Sequence, residues 1–190
     1  MKITDAINIV KKKLNNYPNR FNHTIRVYEM AVKLAEHYNA DVYKVSLAAI
    51  FHDYAKYDSI LEQIKYLSKD EVLKYEDTKV IYHSLSAAYV LKNEFNIDDE
   101  EILNAIKYHV WGHPKMTLID KIVLISDKIE LGRNYPLVEE LRKLAFQDIN
   151  LAIYKFLEDN IAYNLKKGFK IHKNQYETIE SLKEEIHENT

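Results

Sequence analysis

A chain of 190 residues is long enough to form one domain with a sizeable core. Its 27 basic and 29 acidic residues nearly balance, so the overall charge gives no reason to expect nucleic acid or an anionic membrane as a partner. The sequence contains no cysteine, which excludes disulfides, zinc–thiolate sites and thiol nucleophiles.

The chain reads as one helix after another. Three glycines and three prolines are far below the averages of ~7% and ~5%, and so few turn residues favour an all-α protein. The apolar spacing predicts helices throughout, the eighth ending at Gly132. The predicted ranges are 4–15, 20–38, 41–52, 59–67, 68–75 (with Ser68 and Glu71 as a capping box), 78–95, 99–110, 114–132, 137–146 and 148–167. We expect one domain, residues 1–190, as a compact multi-helix bundle with a C-terminal loop and helix over 168–190.

Several ionisable residues fall on the apolar stripes of these helices. They are His23, His52, His83, His109, Asp53 and Asp127. Any one such histidine is more often a hydrogen-bonded core residue than a ligand. However, a buried carboxylate without a partner costs several kcal/mol. Six inward-facing groups on five predicted helices therefore favour a bound metal cation as their common partner.

Nitrogen and carboxylate ligands suit iron, manganese, cobalt or zinc, whereas Mg²⁺ prefers more oxygen. A metal with open positions lowers the pKa of bound water toward ~7 and so provides a hydroxide nucleophile. Arg20, Lys56, Lys128 and Arg133 accompany the same motifs. For Lys128, a solvated surface charge fits the sequence as well as a functional role does. Lys56 and Arg133 are better placed to bind a phosphate beside the metal.

The segment HVWGHP interrupts the helix after His109, because Gly112 and Pro114 both break helices. We expect Val110 and Trp111 at the lip of a pocket. An exposed Trp111 would stack on a base, although core packing is the more common use of a tryptophan.

The order of His23, the adjacent His52 and Asp53, and Asp127 reproduces the H…HD…D signature of the HD-domain phosphohydrolases, an all-α superfamily of metal-dependent phosphate-ester enzymes. Longer strings resemble the consecutive motifs of the bacterial YqeK family over about residues 17–170. These strings are RFNHTIRV, FHDYAK, YHSLSAAYVL, AIKYHVWG and KIVLISDKIELGR.

The resemblance implies symmetrical hydrolysis of diadenosine tetraphosphate to two ADP with iron as the metal. The ligand types leave manganese and cobalt as alternatives. The resemblance implies metal ligation by His23, His52, Asp53 and Asp127. We expect one metal rather than two, although His83 and His109 would be the ligands of a second. Two strings depart from the family pattern: HVWG replaces a small hydroxyl pair before the glycine, and GFKIHKNQYETIE is looser than the usual C-terminal loop.

We expect His83, His109 and Lys56 to be catalytic, a protonated His83 or His109 stabilising or protonating the leaving phosphate oxygen. Arg133 and Lys56 would neutralise charge that develops on the polyphosphate. The expected substrate contacts are His23, His83, His109, Val110, Asp127, Arg133, Arg20 and His172.

Three other functions fit parts of the pattern. An HD-type nucleotidase acting on small (deoxy)nucleoside phosphates shares the chemistry, and a non-catalytic nucleotide sensor would keep the ligands for metal-dependent folding. A helical scaffold leaves the inward-facing charges unexplained.

The expected partner is a dinucleoside polyphosphate or nucleotide, without nucleic acid or membrane, and a homodimer is left open. No segment reaches the ~20 apolar residues of a bilayer span, and the N-terminus lacks the apolar core of a signal peptide. We therefore expect a cytoplasmic protein.

Overall fold

The computed structural model describes residues 1–188 of the chain. Its regular elements within this range are all helical, which confirms the predicted all-α fold. The helices are α1 (Ile3–Lys13), α2 (Pro18–His37), α3 (Val42–Phe51), α4 (Ile60–Ile64), α5 (Lys69–Lys74), a 3₁₀ turn (Lys79–Ile81), α6 (Tyr82–Phe95), α7 (Glu100–Tyr108), α8 (Leu118–Ile129), α9 (Val138–Leu144), α10 (Ile149–Lys166) and α11 (Lys173–Glu188). None of them is long and apolar enough to cross a lipid bilayer.

Local capping chemistry sets several of the helix starts. The Asp41 carboxylate accepts a hydrogen bond from the Lys44 amide at 3.0 Å, so α3 begins where the sequence predicts. The predicted capping box at the start of α5 is also present: the Ser68 hydroxyl accepts from the Glu71 amide, and the Glu71 carboxylate accepts from the Ser68 amide.

The bounds predicted for α8 were wrong at both ends. Thr117 and Asp120 form a capping box that starts the helix at Leu118, several residues after Pro114. The helix ends at Ile129 instead of Gly132, because Glu130 leaves the helical conformation (φ −51°, ψ 154°). The chain from Glu130 onward therefore turns back across the end of the helix.

The core is organised around α8, in which ten of the twelve residues are buried. A helix that is buried on all sides lies at the centre of its domain. Helices α2, α3 and α7 pack against it, and α6 packs against α3 and α7. The five helices that carry or precede the predicted ionisable residues therefore form one connected group.

The remaining long helices cover the other side of α8. Helix α10 packs on α8, α9 and α11. Its C-terminus is followed by Gly168, whose positive φ of 78° favours glycine, and by a short segment that leads to α11. The core residues of all these helices form one hydrophobic cluster. One continuous core is what a single domain requires. The predicted domain 1–190 includes residues 189 and 190, which lie outside the described residues, and it stays a prediction.

Candidate metal centre

The four predicted metal ligands come together at the centre of the bundle. His23 lies in α2, His52 and Asp53 directly follow α3, and Asp127 lies in the last turn of α8. His23 Nε2 is 3.1 Å from Asp127 Oδ1 and 3.8 Å from Asp53 Oδ2. His52 Nε2 is 3.3 Å from Asp53 Oδ2 and 4.0 Å from Asp127 Oδ1. All four side chains are buried.

The imidazole nitrogens that face this cluster have no hydrogen-bond partner. Nε2 of His23 and Nε2 of His52 are both buried without one. The other nitrogen of each ring is engaged: His52 Nδ1 donates to Ala49 O at 2.7 Å, and His23 Nδ1 to Glu130 Oε1 at 3.1 Å. A ring that donates through Nδ1 carries its lone pair on Nε2. The two lone pairs and Asp53 lie close enough together to hold a divalent cation, and Asp127 forms an adjoining group with His52 and His109.

Both carboxylates are ionised, as metal ligation requires. Burial raises the pKa of the Asp53 carboxyl, but the neighbouring rings of His52, His109 and His83 outweigh burial and hold the pKa well below its ordinary value. Burial also raises the pKa of the Asp127 carboxyl, but the charge of Lys128 and the adjacent His23 ring hold that pKa well below its ordinary value.

A second group of ligand atoms adjoins the first through Asp53. Asp53 Oδ1 is 3.1 Å from His83 Nε2 and 3.7 Å from His109 Nε2, and the two imidazole nitrogens are 3.3 Å apart. The structure thus places His83 and His109 at the predicted centre. Burial lowers the pKa of His109 to about 3 and also lowers that of His83. Both rings are therefore neutral at pH 7, which runs against the protonated form expected from the sequence. Their catalytic role stays a prediction.

Two cations contact Asp53 or its neighbours. Arg20 Nη1 donates to Asp53 Oδ2 at 2.8 Å. Lys56 Nζ lies 3.3 Å from His83 Nε2 and 3.9 Å from Asp53 Oδ1. Burial lowers the pKa of Lys56, and Asp53 opposes that effect. Both cations line the cavity that opens from the cluster.

Two further cations hold Asp127. Lys128 Nζ donates to Asp127 Oδ2 at 2.6 Å, and Arg133 Nη2 donates to Asp127 Oδ1 at 2.6 Å. Arg133 Nε also donates to the Asp127 carbonyl at 2.8 Å. The Lys128 side chain is only 13% exposed, so the alternative of a solvated surface charge does not describe it.

A cavity of about 570 Å³ connects this cluster to the surface, a size within the range of small-molecule sites. Asp53, His109 and Asp127 lie on its floor. Its outer part is formed by two loops and one face of α10. The outer residues include Asp77, Val80, Asn160, Asn164, Phe169 and Lys170.

The structure places Val110 in the cavity lining, as predicted. Trp111 also reaches the cavity but is 5% exposed and belongs to the hydrophobic core, so the alternative of core packing is confirmed. His172 stacks on Trp111 with ring centroids 5.9 Å apart, and its Nε2 donates a hydrogen bond to Lys74 O at 3.1 Å. His172 is not part of the cavity lining. Its contact with substrate stays a prediction.

Sequence reasoning missed Glu130. This residue is 1% exposed, and its carboxylate contacts the outer nitrogen of His23. Val123, Asp127 and Glu130 are spaced i, i+4, i+7, so the helical stripe that carries Asp127 already pointed to an inward-facing acid. Asn160, Asn164 and Gln175 also line the cavity and were not singled out. Nothing in their local sequence distinguishes them from surface amides.

The HD-domain family model matches residues 20–132, which include all four predicted ligands. The chain belongs to the HD-domain family. It is 39% identical to the symmetrical bis(5′-nucleosyl)-tetraphosphatase of Halalkalibacterium halodurans, over 93% of this chain and 95% of that protein. It is 36% identical to the protein of the same name from Bacillus subtilis, over 86% and 88%. These similarities confirm the YqeK resemblance.

A solved structure shares the architecture. It is the structure from Clostridium acetobutylicum described as a predicted HD superfamily hydrolase involved in NAD metabolism. It superposes with a TM-score of 0.88 at 31% identity and covers 97% of this chain and 98% of its own. The HD domain and the buried His/Asp groups together indicate a divalent metal.

Proposed function

We propose that this protein hydrolyses diadenosine tetraphosphate symmetrically to two ADP. One observation carries the proposal: a buried cluster of two histidines and two aspartates opens into a cavity where four cations contact the cluster. The chain resembles symmetrical bis(5′-nucleosyl)-tetraphosphatases along nearly their whole length, which supports the same substrate class.

The cations account for recognition of a polyphosphate. Arg20, Lys56, Lys128 and Arg133 are held beside the two ligand carboxylates at 2.6–3.9 Å. A phosphate chain lying over Asp53 and Asp127 would meet all four cations without large movements. Arg133 and Lys56 would neutralise the charge that develops on the phosphate oxygens as the bond breaks.

A divalent metal held by His23, His52, Asp53 and Asp127 would supply Lewis-acid polarisation and a hydroxide nucleophile at neutral pH. We propose iron, with manganese and cobalt as alternatives, since imidazole and carboxylate donors without thiolate suit these metals. We propose one metal. Lys56 Nζ is 3.3 Å from His83 Nε2 and 3.9 Å from Asp53 Oδ1, so an ammonium group already supplies positive charge where a second ion would bind.

The test is a product analysis with purified protein and Fe²⁺, Mn²⁺ or Co²⁺. Diadenosine tetraphosphate in H₂¹⁸O should yield only ADP, with one ¹⁸O in half of the ADP molecules, because water enters at one of the two central phosphorus atoms. AMP plus ATP would reject symmetrical cleavage. Metal content measured after desalting should approach one ion per chain, and two ions per chain would add a site at Asp53, His83 and His109.

The same assay separates the alternatives. A nucleotidase would release inorganic phosphate from nucleoside or deoxynucleoside monophosphates faster than it cleaves the tetraphosphate. A sensor would bind the tetraphosphate in the presence of metal without turnover. NAD is included as a substrate because the Clostridium protein is described as involved in NAD metabolism. Faster cleavage of NAD, to AMP and a mononucleotide, than of the tetraphosphate would contradict the proposed substrate.

A further inference from the structure

We propose that Glu130 is a positioning residue for the metal site: its carboxylate orients His23, and Arg26 and Gly132 hold that carboxylate in place. The inference rests on the proposed role of His23 as a metal ligand. The carboxylate is nearly inaccessible to solvent, and its Oε1 lies 3.1 Å from His23 Nδ1. A buried acid in this position fixes a proton on Nδ1 and leaves Nε2 free for the metal.

Glu130 differs from the groups that orient the other histidines. His52 Nδ1 and His109 Nδ1 each contact a backbone carbonyl of their own helix region, Ala49 O and Ile106 O, at 2.7 Å. Those acceptors are neutral and follow from helix geometry. His23 instead depends on a charged acceptor 107 residues away in the chain. An anionic acceptor makes the imidazole a stronger donor to a metal.

The carboxylate is itself fixed from its other side. Glu130 Oε2 accepts from Arg26 Nε at 2.5 Å and from the Gly132 amide at 2.5 Å. Arg142 holds the backbone of the same segment through Nη2, which donates to Glu130 O at 2.7 Å and to Arg133 O at 3.0 Å. A ring, its acceptor and the acceptor's donors therefore form one chain of contacts from the metal cluster to the surface.

Gly132 has a specific place in this arrangement. A Cβ atom at this position would overlap Nε, Cζ and Nη2 of the Arg26 guanidinium. The guanidinium is the end of a flexible side chain and can move away, but moving away breaks its contact with Glu130. Gly132→Ala is therefore a way to disturb the carboxylate without changing any charge.

The experiment measures metal affinity directly, by competition with a chromophoric chelator for Mn²⁺ and Co²⁺. Glu130→Ala should weaken binding by ~10–100-fold, the usual range for loss of an outer-shell partner. Glu130→Gln should lose less metal affinity than Glu130→Ala, because the glutamine side-chain oxygen can still accept a hydrogen bond from His23 Nδ1. Gly132→Ala should lower the metal affinity by less than ~10-fold. The absorption bands of bound Co²⁺ should shift in the Glu130 variants, since the ring donor changes.

The chain supplies a matched control. Asp120 is a buried carboxylate of α8 that also faces a histidine, with His113 Nε2 at 3.3 Å from its Oδ2. Asp120→Asn therefore removes a buried charge from the first turn of α8, outside the metal cluster, and it should leave metal affinity and the Co²⁺ spectrum unchanged. Thermal unfolding of the metal-free variants measures any general loss of stability.

The proposal is overturned if Glu130→Gln and Glu130→Ala bind metal as the wild type does. It is also overturned if Asp120→Asn loses as much affinity as they do, because the effect would then follow stability. If Glu130→Ala does not fold, the Glu130→Gln and Gly132→Ala titrations decide. These titrations use no nucleotide, so a wild-type protein that binds metal tightly without cleaving diadenosine tetraphosphate would refute the proposed function and leave this inference standing.

Discussion

The floor of the cavity is formed by Asp53, His109 and Asp127, which lie at the ends of three packed helices, whereas its outer part is formed by residues 77–80 and 169–170 and one face of α10. On the floor, Asp127 is 5% exposed and is held by three side chains. At the rim, Phe169 is 62% exposed, and the Lys170 pair with Asp77 is mostly in solvent. The floor geometry is set by core packing, but the rim can adjust to a ligand.

This difference separates two kinds of effect. Changes on the floor should alter metal binding and the chemical step for every substrate. Changes at the rim should alter mainly the affinity for a substrate and the choice between substrates.

The largest expected effect comes from Asp127→Ala. Hydrolysis should fall by roughly 10⁴-fold, the scale on which central catalytic groups act, and metal content should fall with it. Asp77→Ala at the rim is the matched control, because it removes an exposed carboxylate that lines the same cavity. Steady-state kinetics and metal analysis measure both. If Asp127→Ala stays active and metal-loaded, the floor does not control metal binding and catalysis as proposed.

Arg133→Ala tests the layer between floor and rim. The Arg133 guanidinium donates to both the carboxylate and the backbone carbonyl of Asp127, yet the Arg133 side chain is 36% exposed. We expect kcat/KM to fall ~10²–10³-fold while metal stays bound, as for other donors that stabilise transition-state charge. Loss of the metal in this variant would show that Arg133 belongs to the floor as a support for Asp127.

Metal removal tests whether the floor is held together by its ion. A ligand that binds only the folded state adds about 2.7 kcal/mol at 100 times its Kd, which raises Tm by roughly 5–10 °C for a chain of this size. Thermal unfolding with chelator and with added Mn²⁺ measures the shift. Equal Tm values in the two conditions would argue against the cluster as a metal site.

The smallest expected effect comes from Phe169→Ala. If the exposed ring stacks on a nucleobase, its loss should cost about 1 kcal/mol and raise KM about fivefold with little change in kcat. Inhibition by inorganic tripolyphosphate, which has no base, should be unchanged and serves as the control. An equal loss for tripolyphosphate would mean that Phe169 shapes the phosphate site.

The sequence predicts the inward-facing set well because helical periodicity is local. His23, His52, Asp53 and Asp127 each fall in step with apolar neighbours three or four residues away, and the structure buries all of them. The helix starts at Asp41 and Ser68 were predictable for the same reason, since a cap involves only the next three residues. The early start predicted for α8 overlooked the Thr117–Asp120 box, which is equally local.

The sequence by itself therefore determined the all-α fold, the buried ionisable residues and the family. The tertiary structure alone decided which of these residues meet. The contact between His23 and Glu130 spans 107 residues, and the segment after Ile129 is held by Arg142 from the next helix. Likewise, Trp111 stacks against His172 from the C-terminal segment, and Lys128 Nζ lies over the Phe156 ring of α10. Such contacts depend on how helices pack, because no periodicity within one helix specifies its partner across the core.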